Sequence, residues 1–382
     1  MKHILLFLLL SITVCAQKTS FELESLVLGQ KRTLNIAIPA SLEKNPTKKY
    51  PLVILLDGDY LFDPFHGALN YGAYWEDIPE CIIVGIDQNS NEQRFSDCEV
   101  NPETGLPTNK SKEFYNFIAT ELLPYLEKKY PVAPFRIIAG HDVTAGFINY
   151  FLYQNQPVFD AYIALSPELA LDMDLKIASA LEQSKKTIFY YHSNGDSDLK
   201  KQQDAIKSLD QELKQIQNPN VQYKFDNFAG ASHYSQVLHA IPSALYHFFE
   251  TYKPISLAEY SEKIAILTEG HANYLKNKYD LSFKTLGFKT PIRLNDFKAI
   301  EAAILKNKAY AEFEELAQIS NKEYPKAMLG DYQLGLMFEK MGDTKRAARY
   351  YMSASQMTEI GDLTKNMMLE KYEAMNSQNP KK

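Results

Sequence analysis

Cysteine is scarce in this chain: three in 382 residues, one of them at position 15. That count excludes a disulfide-stapled fold. The other two, Cys81 and Cys98, sit at the start of a predicted strand and in the loop beyond its far end. Six strand residues span roughly 20 Å, well past the reach of a disulfide, so two buried or partly buried thiols are expected. Positive charge is also in short supply. Lys and Arg number 41 against 47 Asp and Glu, a net charge of -6, which argues against nucleic acid or an anionic membrane surface as main partner. Beyond the N-terminus no run is apolar enough for a transmembrane helix, and no cofactor or metal is called for.

What is present starts with Met1, Lys2 and His3, followed by the apolar run 4–14. The run is too short to span a bilayer but suits the core of a signal peptide. Val14 and Ala16 put small residues at the -3 and -1 positions of a cleavage site. Residues 1–16 therefore read as a signal peptide, and export, most simply to a periplasm, is expected. A lipid-attachment site wants Gly, Ala or Ser before the cysteine, and Val14 stands there, so a lipoprotein is not expected.

From 17 to 253 strands alternate with helices, which predicts an α/β domain. Segment 33–38 alternates polar and apolar like an edge strand. Segments 51–57 and 81–87 are unbroken apolar runs, as in strands buried on both faces of a parallel sheet. Further strands are predicted at 135–139, 162–165, 186–191 and 221–225, with helices at 113–129, 199–216 and 234–252. Lys253 and Pro254 mark a boundary. Residues 254–382 read as all-helical, and Leu334, Gly335, Phe338, Gly342, Ala347, Tyr351 and Ala354 follow the tetratricopeptide spacing. Small residues at 335, 347 and 354 would let two helices approach closely while the large ones fill the seam. A single repeat cannot bury its own face; the weaker match over 294–325 and a capping helix at 363–375 complete the stack. Such a region is expected to engage a protein or peptide.

The stretch "GHDVTAG", 140–146, lies between the strand 135–139 and an apolar helical segment. Strand, tight turn and helix are the context of the G-x-S-x-G nucleophile elbow, with Asp142 at the nucleophile position. Asp196 and Asp198 follow the strand 186–191, and His233 follows the last strand, so nucleophile, acid and base candidates occur in α/β-hydrolase order.

At these residues the chain resembles the esterases related to enterochelin esterase and esterase D. The resemblance runs through "YPLVILLDGDYLF", "CIIVGIDQNSNEQR", "IIAGHDVTAGF" and "FDAYIALSPELA". Members with a tetratricopeptide-like extension are also similar, through "NKEYPKAMLGDYQLGLMFEKMGD". The resemblance implies an α/β-hydrolase sheet, with the nucleophile position at Asp142, the acid at Asp198 and the base at His233. It also implies oxyanion-hole amides on Val143 and on the Gly58–Asp59 turn.

Two residues depart from the family. Asp142 replaces the nucleophilic Ser; a carboxylate attacking an ester would form an anhydride and expel a much poorer leaving group than itself. Its charge would also oppose the oxyanion. At an effective dielectric near 20, two unit charges ~4 Å apart repel by roughly 4 kcal/mol, about a thousandfold in rate. Thr144 stands where the elbow wants Gly, and a β-branched residue is expected to crowd strand against helix. Together these predict a degenerate elbow and a binding or scaffold protein without serine-esterase activity.

The alternative is an active hydrolase. "GHD" resembles the elbow of epoxide hydrolases and haloalkane dehalogenases, in which Asp attacks saturated carbon. Those enzymes usually place Trp where Val143 stands and carry a helical cap, for which the 53 residues between Asp142 and Asp196 leave no room. Ser166 follows a strand and looks like a possible substitute nucleophile, but similar esterases with a normal elbow carry a Ser there too, so the resemblance implies a structural role.

Overall fold

The computed structural model describes residues 18–88 and 92–377; the expected signal peptide lies outside the described residues. The chain divides into two compact units, one ending at Glu250 and the other starting at Thr251.

The first unit is built on eight strands: β1 (Thr19–Ser25), β2 (Gln30–Ala37), β3 (Tyr50–Leu55), β4 (Ile82–Ile86), β5 (Val132–His141), β6 (Ala161–Leu165), β7 (Ile188–Gly195) and β8 (Val221–Phe228). Their order is β1-β2-β4-β3-β5-β6-β7-β8. Only β1–β2 and β2–β4 run antiparallel; every later neighbour pair is parallel. The apolar runs at β3 and β4 are fully buried along their length. Leu52, Ile54 and Leu56 face a core shared with Phe114, Phe147 and Tyr190. Val53 and Leu55, of opposite alternation, are equally inaccessible. Residues i and i+2 share a face of a strand, so β3 is covered on both sides.

Strand β2 is not the edge its alternation predicts. β1 covers it in register from Thr19↔Ile36 to Ser25↔Gln30. The polar Asn35 is buried and donates to Asp87 Oδ1 at 2.6 Å, so a satisfied internal polar residue mimicked a solvent-facing one. Cys81 and Cys98 are both buried and free, and burial raises both thiols above their ordinary range.

Among the described residues of the second unit every regular element is a helix, with isolated bridges Ala327–Thr358 and Ile360–Leu363. The helices Phe313–Glu323, Leu329–Lys340, Thr344–Ser355 and Lys365–Ser377 each pack on the next in sequence. A Cβ added to Gly335 would stand 2.6 Å from the Tyr351 ring, so the absence of a side chain there sets how closely two of these helices meet. No helix among the described residues is long and apolar enough to cross a membrane.

Candidate active-site cleft

Parallel pairing from β3 to β8 aligns the C-terminal ends of the strands, where functional groups gather in such sheets. Leu55 pairs with Ala139, His141 with Leu165, Leu165 with Ser193, and Gly195 with Phe228. The residues just beyond these ends are Asp57, Asp142, Ser166, Asp198 and His233.

Asp142 adopts φ 61°, ψ −118°. A non-glycine residue in a sparsely populated region costs on the order of 1–3 kcal/mol and persists only where its surroundings over-determine it. Here they do: its N–H donates to the Leu165 carbonyl, and its own carbonyl accepts from Gly146 and Glu168, each at 3.0 Å. Thr144 does not crowd the turn as its branching leads one to expect. A Cβ on Gly140 would lie 2.7 Å from the Thr144 hydroxyl, so the space is supplied by the glycine four residues earlier. That hydroxyl accepts from His141 N at 2.8 Å and donates to Asp57 Oδ2 at 2.6 Å.

Asp142, Asp198 and His233 come together. His233 Nδ1 stands 2.9 Å from Asp198 Oδ1, and Nε2 faces Asp142 Oδ1 at 4.0 Å. The Asp198 side chain is wholly buried while Asp142 keeps 26 % of its side-chain surface exposed. Asp196 points elsewhere, accepting from Gly230 N at 2.8 Å. Ser166 is fully buried; its hydroxyl donates to Asp198 and lies 3.3 Å from His233 Nδ1. It therefore sits on the Asp198 side of the imidazole, bonded to that carboxylate. Of the two oxyanion candidates, Val143 opens the helix after the elbow, and Gly58 and Asp59 open the helix Gly58–Tyr74. The Asp59 carboxylate accepts from Gln88 N at 3.2 Å.

Several residues of the site had no local signature. Gln202 donates from one amide nitrogen to Asp142 Oδ1 (3.1 Å) and the Ser166 carbonyl (2.8 Å). Arg94 donates through Nε to Asp57 Oδ1 (2.6 Å), through Nη2 to the His141 carbonyl (2.8 Å), and through Nη1 to Asp142 Oδ2 (3.4 Å). "NEQR" was visible within a matching segment, yet nothing in its spacing points at the elbow. His141 is buried, and burial followed by the proximity of His233 pushes its pKa down to about 4. Its ring is neutral at pH 7, so Nε2–H donates to the His233 carbonyl (3.2 Å) and Nδ1 accepts from the Tyr60 hydroxyl (3.1 Å). Beside Val143 opens a cleft of about 960 Å³, whose lining includes Phe95, Lys110, Phe147, Glu168 and Leu171. Among the described residues no group of three or more His, Cys, Asp or Glu is placed to hold a metal ion.

A protein-family model described as "Putative esterase" matches residues 25–248. The chain belongs to that family. The sheet order, the strained elbow and the residues gathered at the strand ends fit the esterase-type α/β-hydrolase fold. Among solved structures, an uncharacterised protein from Capnocytophaga ochracea is 27% identical, with a TM-score of 0.86, covering 94% of this chain and 100% of that one. An IroE-like serine hydrolase from Shewanella oneidensis is 19% identical, TM-score 0.62, over 80% of this chain and 99% of that one. The siderophore hydrolase EstA from Aspergillus nidulans is 17% identical, TM-score 0.50, over 61% and 94%. No curated protein matches. The last two structures share the fold with this family member.

Proposed function

We propose that this protein is a ligand-binding member of the esterase family that does not hydrolyse esters by a serine mechanism. The observation that carries the reading is the Asp142 carboxylate. It stands where a hydroxyl would be needed, with one oxygen bonded to Gln202 and the other to Arg94. A carboxylate so held is a poor acyl nucleophile and opposes the charge of a tetrahedral oxyanion. The surrounding network favours a maintained site over a decayed one: Thr144, Asp57 and Gln202 are buried and bonded to one another or to the elbow. The adjoining cleft is the binding volume. In this reading residues 1–16 export the chain, and the region from 254 onward is a tetratricopeptide-like unit that engages a protein or peptide. A groove of about 410 Å³ there, lined by Leu334, Met337, Phe338 and Met341 among others, supports that role. The test is a panel of acyl esters with a fluorophosphonate probe. Turnover at background and no label are expected; ordinary enzymatic rates abolished by Asp142→Ala overturn the reading.

A second reading keeps chemistry at Asp142, favoured by its nucleophile-type backbone and by His233 Nε2 facing Oδ1 with Asp198 behind. Asp142 Oδ would bond to a saturated carbon as that carbon's bond to an epoxide oxygen or halide breaks, the leaving atom taking the electron pair. His233 would then accept a proton from water attacking the Asp142 ester carbonyl, releasing the alcohol and restoring the carboxylate. A mass increase on the Asp142 peptide after exposure to epoxides or alkyl halides decides for it.

A further inference from the structure

Arg94 reaches the elbow from the short helix Gln93–Asp97, and that helix is pinned from beneath. Buried Arg32 grips Asp97 through two nitrogens at 2.8 and 2.5 Å, and Gln88 joins Asp97 (3.0 Å) to the Asp57 amide (3.1 Å). Asp57, wholly buried, holds Arg94 Nε at 2.6 Å while its other oxygen takes the Thr144 hydroxyl. The guanidinium is thus fixed on the Asp57 side, and its planar fork leaves Nη1 facing Asp142. Across the site Gln202 is fixed by the Ser166 carbonyl. The Asp142 carboxylate hangs between these two donors, and its Oδ1 stays 4.0 Å from His233 Nε2, outside hydrogen-bond distance.

We propose that Arg94 is a positioning residue of this site: anchored on Asp57, it works with Gln202 to hold the partly exposed Asp142 carboxylate out of hydrogen-bond reach of His233. The inference rests on the ligand-binding reading, because a carboxylate so held remains available to a ligand instead of closing an internal ion pair. Facing the imidazole are Asp142 at Nε2, Asp198 and Ser166 at Nδ1, the neutral His141 ring at 4.5 Å and the Tyr234 ring at 5.0 Å. Released from Arg94, the Asp142 carboxylate can close the 4.0 Å gap to His233 Nε2, and a carboxylate in direct contact with an imidazole favours the protonated ring.

The experiment follows the ring-proton NMR signal of His233, assigned by its loss in His233→Gln, against pH in the full chain. Arg94→Gln should move the midpoint up relative to the parent. Arg94→Lys, which keeps a cation beside Asp57 but loses the fork, should move it less, and stands in if Arg94→Gln does not fold. In Arg94→Gln/Asp142→Asn the midpoint should match that of Asp142→Asn alone. No movement in a folded Arg94 variant overturns the proposal, and so does a movement that persists with Asn at 142. Ester turnover is not part of the readout. A failure of the non-hydrolytic reading, seen in the ester panel, is therefore told apart from a failure of this one.

Discussion

The Thr144 hydroxyl and the Asp57 carboxylate meet at 2.6 Å, both wholly buried, and their bond ties the turn after β5 to the end of β3. The same hydroxyl receives the His141 amide, and the same carboxylate receives Arg94. The residue that departs from the elbow pattern is therefore the one that completes a buried polar chain beneath it. Thr144→Val keeps the shape and removes the hydroxyl, leaving an amide and a carboxylate oxygen each short of a partner. A loss of about 2–3 kcal/mol is expected, seen as a lower midpoint in chemical denaturation. Thr144→Ser should retain most of the stability; a Val variant as stable as the parent refutes this role.

Asp142→Ser alone should produce a fluorophosphonate adduct at position 142, since His233 with Asp198 behind it already faces that position. A positioned general base is worth roughly a hundredfold or more, so acyl-ester turnover should rise by about that factor over the parent. Adding Thr144→Gly should lower stability and bring no further activity, because Thr144 is bonded and not crowded. A folded Asp142→Ser protein that neither labels nor turns over would mean that no oxyanion site is formed.

His141 gives the fold a pH dependence with a definite sign. Its folded pKa of about 4 lies below the ordinary 6.5, so between these values the unfolded chain binds the extra proton. Its contribution is intact above about pH 6.5 and is lost as pH falls toward 4, by at most about 3 kcal/mol. Denaturation midpoints across that window should fall with pH, and the slope should flatten in His141→Gln.

Gly335→Ala inserts a methyl where only 2.6 Å separates an ideal Cβ from the Tyr351 ring. Tyr351 is fully buried and its hydroxyl is bonded to Glu339, so the ring has little freedom to yield. Overpacking of this kind costs about 1–3 kcal/mol. Hydrogen exchange should accelerate in the helices Leu329–Lys340 and Thr344–Ser355 while the sheet of the first unit keeps its protection.

The central strands were legible because strands buried on both faces leave continuous apolar runs, as at β3 and β4. β1 was not, since a half-exposed strand carrying Glu22 and Glu24 has no apolar excess. Asn35 misled because its partner Asp87 lies 52 residues away. The same limit applies at the site. Asp142, Asp198 and His233 could be read from residue type and order, one strand end at a time. Arg94, Gln202 and Asp57 act through bonds to distant segments, and no local period encodes such a bond. Thr144 was visible but misjudged, because its room comes from Gly140 and its bond from Asp57.

The two buried thiols make the chain its own opening clock. Cys81 and Cys98 both belong to the first unit and are shielded and protonated in the native state. An alkylating reagent can capture them only when that unit opens locally or globally. The second unit holds no cysteine, so its breathing leaves no mark. Alkylation rates at Cys81 and Cys98, read on their own peptides, therefore report the sheet and cleft alone, and a ligand seated beside Val143 should slow labelling at Cys98, which borders the same cleft, more than at Cys81.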